Sequence, residues 1–238
     1  MPFKKRIKAF ENTIVIWEIK ETIEELKELL DDKTIETLIK NKYPNEKRQR
    51  EQLIVHIILK RIFGEGIRVM HRASGAPYLK YFDGTEENSQ ISISHSNKSI
   101  AVAISKYPVG IDIEEIDRNQ LELIDKYTTP EERVWINSFE KEEDKRFISS
   151  IIWSTKEAMY KLADTEGLSF ETDIMVPPFK HTKSAQYLGK FKDRNASECT
   201  FFREDDEILV VSYFPSGELP EFEDEGPECM FYRTKIII

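Results

Sequence analysis

Cysteine is scarce in this chain: two in 238 residues, Cys199 and Cys229, with no Cys-x-x-Cys or Cys/His spacing around either. That excludes a zinc site or a disulfide scaffold. Glycine (9) and proline (10) are too few for a collagen-like or low-complexity chain, and 39% apolar residues are too many for a wholly disordered one. Long apolar runs are missing as well. Blocks such as Ile14–Trp17 and Leu53–Val55 fall far short of the roughly 18 residues a membrane-spanning helix needs. The basic opening (Lys4, Lys5, Arg6, Lys8) runs straight into Glu11-Asn12 with no apolar stretch, so it does not read as a secretory signal. The expectation is a soluble, cytoplasmic, globular protein with a real core and no membrane partner.

What is plentiful is charge, and it is unevenly spread. Residues 1–106 carry a net +4 and residues 107–238 a net −13, giving −9 overall. A chain this acidic lacks the basic face that neutralises nucleic-acid phosphates, so no nucleic-acid partner is expected. The first half nevertheless holds a basic cluster: Lys40, Lys42, Lys47, Arg48, Arg50, Lys60 and Arg61 against Glu46 and Glu51. Such a run is either a solvated helix face or a site for a small polyanion.

Strands and helices are mixed without a regular βαβ rhythm, which predicts an α+β fold. Ile14–Ile19 reads as a first strand. Thr22-Ile23-Glu24-Glu25 has the form of a capping box opening a helix to about Leu30. Glu46–Phe63 places Ile54, Ile57, Ile58 and Ile62 on one stripe of a helix ending before Gly64. Arg68–Leu79 reads as strand, Ser74-Gly75 turn and strand. Two β-rich pieces flank His95-Ser96-Asn97-Lys98, and Val109–Glu114 is another strand. Helices are expected at about Pro130–Phe139 and Glu142–Ala163, then strands at Cys199–Phe202, Ile208–Tyr213 and Met230–Ile238, with an acidic loop from Glu218 to Glu228. The stretch from Asp164 to Glu198 has no assignable pattern, and there is no sequence repeat.

Three segments could carry chemistry. In Gly110-Ile111-Asp112-Ile113-Glu114 the strand period puts Ile111 and Ile113 on one face and both carboxylates on the other. Carboxylates about 6.6 Å apart repel by roughly 2.5 kcal/mol at an effective dielectric of 20, so that face is open to water or holds a cation. In Trp153-Ser154-Thr155-Lys156-Glu157-Ala158-Met159-Tyr160-Lys161 a helix brings Glu157 and Lys161 together, with Trp153 a turn earlier on the same side. That is either a surface ion pair or a third carboxylate beside a cation. Ser92-Ile93-Ser94-His95-Ser96 ends a strand in a small polar cluster. It has no Gly-x-Ser-x-Gly setting for a nucleophilic serine.

These segments, in this order and spacing, resemble the 4′-phosphopantetheinyl transferases of the larger, surfactin-synthetase type. Arg50-Glu51-Gln52-Leu53 is similar to that family's Arg-Glu-x-Leu helix, Gly75-Ala76-Pro77 to its Gly-Lys-Pro, and Gly167-Leu168 to the Gly-Leu after its helix motif. The resemblance covers about residues 46–170. It implies a monomer of two similar α+β subdomains in pseudo-twofold arrangement, residues 1–106 and 107–238, with the active site in the cleft between them. The implied reaction moves phosphopantetheine from coenzyme A to a serine of an apo acyl or peptidyl carrier protein, releasing adenosine 3′,5′-bisphosphate. By matching positions, Asp112, Glu114 and Glu157 would hold Mg²⁺. Glu157 would also activate the serine, and Lys161 would meet the leaving phosphate. Lys156, Lys161, Ser94, His95 and Arg50 would bind the coenzyme, and His95 would join Glu157 and Lys161 as a catalytic residue.

Two positions depart from the family pattern. Ala76 stands where the family has a lysine, leaving Arg72 or Lys80 as a substitute cation. His56 stands where an arginine is common. Two other readings remain: a metal-dependent nuclease or phosphatase built on the same carboxylates, and a non-catalytic carrier-protein binder.

Overall fold

A computed structural model describes residues 3–9, 12–116, 120–180, 182–192 and 196–214. The chain divides into two compact units between Lys106 and Tyr107. The strand expected at Met230–Ile238 and the acidic loop before it lie outside the described residues.

The N-terminal unit opens with β1 (Phe3–Ala9) and β2 (Asn12–Glu18), then α1 (Ile23–Leu30), α2 (Lys33–Lys42) and α3 (Glu46–Phe63). The capping box is real: the Thr22 hydroxyl accepts from the Glu25 amide at 3.3 Å, and the Glu25 carboxylate accepts from the Thr22 amide at 2.8 Å. α2 follows α1 at once because Asp32 accepts from the amides of Thr34 and Ile35, both at 3.0 Å. Asn45 caps α3 in the same way, and Gly64 ends it at φ 89. β3 (Ile67–His71) and β4 (Pro77–Tyr81) form the expected hairpin, turning through Gly75 at φ 88, where a side chain would be strained. With β5 (Glu86–Glu87) they make a small sheet; β6 (Gln90–His95) and β7 (Ser99–Ser105) join the first two strands in the order β1-β2-β7-β6. α3 is not simply amphipathic. Leu53 through Leu59 are all buried, whereas Ile62 is 37% exposed.

The C-terminal unit contains β8 (Val109–Glu115), a 3₁₀ turn (Gln120–Leu123), α4 (Ile124–Tyr127), α5 (Pro130–Asn137) and α6 (Glu142–Ala163). Four strands complete it: β9 (Ile174–Met175), β10 (Ser184–Phe191), β11 (Ser197–Glu204) and β12 (Glu207–Tyr213). Their order is β8-β12-β11-β10-β9, antiparallel throughout. α6 packs on β8 and β12.

The two units follow the same path. In each, a strand leads through helices ending in a long one, α3 or α6. The chain then returns so that the last strand pairs with the strand that leads into the helices and the penultimate strand with the last: β2-β7-β6 in one, β8-β12-β11 in the other. No sequence repeat accompanies this. No helix among the described residues is long and apolar enough to cross a membrane.

Candidate active site

β8 and α6 bring the expected chemistry of the C-terminal unit together. Asp112 and Glu114 share one face of β8, but that face is covered: they are 3% and 9% exposed. This corrects the picture of a face open to water, since α6 lies across it. The approach is close because residue 110 is glycine. A Cβ there would sit 1.8 Å from the Ala158 carbonyl oxygen.

Each buried carboxylate meets a donor from α6. Lys161 Nζ donates to Asp112 Oδ1 at 2.8 Å and to the Ile111 carbonyl at 3.0 Å. Trp153 Nε1 donates to Glu114 Oε1 at 3.1 Å. The Trp153 ring is itself held edge-on by Tyr127 at 5.2 Å and Phe170 at 5.7 Å. Positions 153, 157 and 161 are successive helical turns, so half-buried Glu157 lies between these two contacts on the stripe that faces β8.

Lys156 requires a correction. It was expected to contact a coenzyme phosphate, yet it is fully buried. Its three N–H donors go to Glu132 Oε2 at 2.7 Å, the Phe170 carbonyl at 2.6 Å and the Ile174 carbonyl at 2.7 Å. Burial pushes its pKa down, and the Glu132 carboxylate opposes that. Glu132 also caps α5 and accepts from the Val176 amide at 2.7 Å. The pair therefore ties α5, α6 and the β9 segment together. The Thr129-x-x-Glu132 capping box opens α5, and no local signal marks its buried partner. A cavity of about 220 Å³ beside it is lined by Thr129, Trp135, Met175, Val176, Pro177 and Lys190 among others, and none of the expected ligands line it.

The N-terminal unit gathers a second set. His95, at the exposed end of β6, has Nε2 against Arg48 Nη1 of α3. Arg48 also donates to Glu51 Oε2 at 2.7 Å, and that oxygen lies 3.7 Å from His95 Nε2. Lys47 Nζ donates to Asn97 Oδ1 at 2.6 Å, tying the first turn of α3 to the β6–β7 turn. His71 belongs to the same field: burial lowers its pKa, and the charges of Lys42 and Arg48 lower it further.

The other expected ligands of this unit are less directly placed. Ser94 is 7% exposed. Arg50 is half-buried, and its Nε has no hydrogen-bond partner among the described residues. Arg72 is exposed in the β3–β4 turn, and Lys80 faces Glu86 at 3.9 Å. His56 offers no cation: it is buried, its ring Nδ1 meets the Gln52 carbonyl at 2.8 Å, and burial lowers its pKa. Arg48, which the motif comparison passed over, is the arginine in contact with His95.

Comparison with known proteins fits this geometry. The profile described as the 4′-phosphopantetheinyl transferase superfamily matches residues 108–213, from just before β8 to the end of β12. A curated relative, 4′-phosphopantetheinyl transferase gsp of Aneurinibacillus migulanus, is 26% identical over 128 residues, covering 50% of this chain. Over residues 108–213 the chain is similar to the 4′-phosphopantetheinyl transferase superfamily. It spans about half the length of the curated relative it matches, 51%.

The matched segment holds Asp112, Glu114, Trp153, Glu157 and Lys161. The carboxylate oxygens of Asp112, Glu114 and Glu157 are hard donors of the kind Mg²⁺ takes, and two of these carboxylates accept from Lys161 and Trp153 in this structure. Among the described residues, no three His, Cys, Asp or Glu side chains are grouped so as to hold a metal ion.

Proposed function

We propose that this protein is a phosphopantetheinyl transferase acting on coenzyme A and a serine of an apo carrier protein. The observation that carries the reading is the facing of β8 and α6: two buried carboxylates on the strand, and a lysine, a tryptophan and a further carboxylate on the helix. The serine hydroxyl attacks the phosphorus that bears pantetheine. The pyrophosphate P–O bond breaks, and adenosine 3′,5′-bisphosphate leaves. Asp112, Glu114 and Glu157 would hold Mg²⁺, which neutralises pyrophosphate charge when bound. Glu157 takes the serine proton, and Lys161 offsets or protonates the leaving phosphate. Ser94, His95, Arg48 and Arg50 in the N-terminal unit would serve the nucleotide phosphates.

A nuclease or phosphatase would need a long basic groove, which the −13 of residues 107–238 does not supply. The deciding experiment is mass spectrometry of a panel of apo carrier proteins after incubation with coenzyme A, Mg²⁺ and this protein. A phosphopantetheine adduct is expected on at least one; none on any would sink the reading.

A further inference from the structure

We infer that Phe170 is a positioning residue for the transfer reaction: Lys156 anchors its backbone, its ring braces Trp153, and the braced indole fixes the orientation of the Glu114 carboxylate. The inference rests on the transferase reading above.

The contacts form a continuous path. Lys156 Nζ donates to the Phe170 carbonyl at 2.6 Å and to the Ile174 carbonyl at 2.7 Å. Those bonds hold the stretch after α6, which has no helix or strand of its own before Ile174, against the helix. The Phe170 ring then meets two rings of α6, Trp153 and Tyr160, each with centroids 5.7 Å apart and planes at 60°. Trp153 also meets Tyr127 edge-on at 5.2 Å. The Tyr127 hydroxyl is in turn anchored at the Gln120 and Ser149 carbonyls, at 3.4 and 3.3 Å. The indole can only donate, and its Nε1 gives its hydrogen to Glu114 Oε1 at 3.1 Å.

The two carboxylates of β8 are therefore held by different means. Asp112 accepts from an ammonium, whereas Glu114 accepts from a neutral N–H, which orients the carboxylate without cancelling its charge. Holding a glutamate still costs rotamer freedom, and one neutral hydrogen bond offsets only part of that. The donor must then be immobile itself, since an indole that turns away loses the contact. Tyr127 belongs to the core at 1% exposure; Phe170 is half-buried and comes from the irregular stretch beyond α6. A ring that only filled the core would change stability and leave the rate per folded molecule alone. A ring that aims Trp153 changes that rate.

The test measures kcat and KM for transfer to an apo carrier that the parent modifies, beside near-ultraviolet circular dichroism of the same preparations. The difference between the parent and Trp153→Phe isolates the band of that indole. Phe170→Leu should lower kcat about tenfold, the scale of losing one hydrogen bond to a charged group, with KM for coenzyme A and carrier within about twofold. It should also lose most of the Trp153 band. Phe170→Tyr keeps the ring and should restore both. Trp153→Phe keeps a ring without the N–H and should lower kcat at least as far. Parent-like kcat or an intact Trp153 band in Phe170→Leu would overturn the inference and leave the transferase reading in place; so would a Phe170→Tyr as slow as Phe170→Leu. If Phe170→Leu does not fold, Trp153→Phe decides: full-rate transfer without the N–H overturns the inference, and slowed transfer at unchanged KM upholds it. A parent that modifies no carrier would defeat both readings.

Discussion

At the scale of single residues, neighbours in sequence have opposite fates. Lys156 and Glu157 are adjacent on α6, yet one is sealed inside and the other is half-buried on the stripe facing β8. A 100° step per residue separates a structural ammonium from a candidate base. Glu157→Gln should lower single-turnover transfer at saturating Mg²⁺ by about a hundredfold or more, the usual loss for a general base. The thermal midpoint should hardly move, because the side chain is not part of the sealed core. Transfer within about threefold of the parent would remove this helix from the chemistry.

His56 carries a pH prediction. Its pKa is lowered from the ordinary 6.5 by burial, so it folds neutral while the unfolded chain binds a proton below that value. Its stabilisation is fully present above about pH 6.5 and is lost as pH falls toward its folded pKa, at up to about 1.4 kcal/mol per pH unit. Denaturant midpoints of the parent and of His56→Gln should converge as pH drops from 7 to 5. Parallel curves would show that another group dominates.

At the scale of elements, everything turns on β8 lying against α6. Gly110 permits that contact, since a methyl group there would overlap the Ala158 backbone. Gly110→Ala should therefore destabilise by about 3 kcal/mol or more, beyond a routine overpacking cost, because backbone rather than a flexible side chain must shift. It should also weaken activity by parting Trp153 from Glu114 and Lys161 from Asp112. Thermal denaturation and transfer assays on the same preparation would check both; an unchanged midpoint would mean that the helix slides without loss.

Elements with a strong local signal were legible. α6 spans Glu142–Ala163 as its periodicity and flanks indicate, and the Thr22 capping box opens α1. Those missed had no local signal to offer. β1 holds four basic residues in seven, β5 and β9 are two residues each, and β10 alternates poorly between buried and exposed positions. α2 is short, and its N-cap Asp32 follows directly on α1 with no turn residue between them to mark a new element.

At the scale of the whole molecule, a net charge of −9 governs long-range encounters. An acidic carrier protein would be repelled at a distance, so docking must rely on a local patch rather than on steering. Transfer efficiency, kcat/KM for the carrier, should change by less than about threefold between low and physiological salt, whereas steered pairs fall steeply over that range. A tenfold fall would reveal a basic docking face.

The sequence by itself determined the chemistry-bearing residue types and their order: Ser94-His95, then Asp112 and Glu114, then Glu157 and Lys161, because spacing along a strand or helix fixes which side chains share a face. It also determined that the chain is α+β, through alternating and helical periods. Only the tertiary structure decided which partners those residues have. Trp153 meets Glu114 across 39 positions, Lys161 meets Asp112 across 49 and Arg48 meets His95 across 47. Lys156 becomes a buried strut because Glu132 and two carbonyls close around it. Burial and charge pairing are properties of packed elements, and a local period records only the face a residue points to, not what will be waiting there.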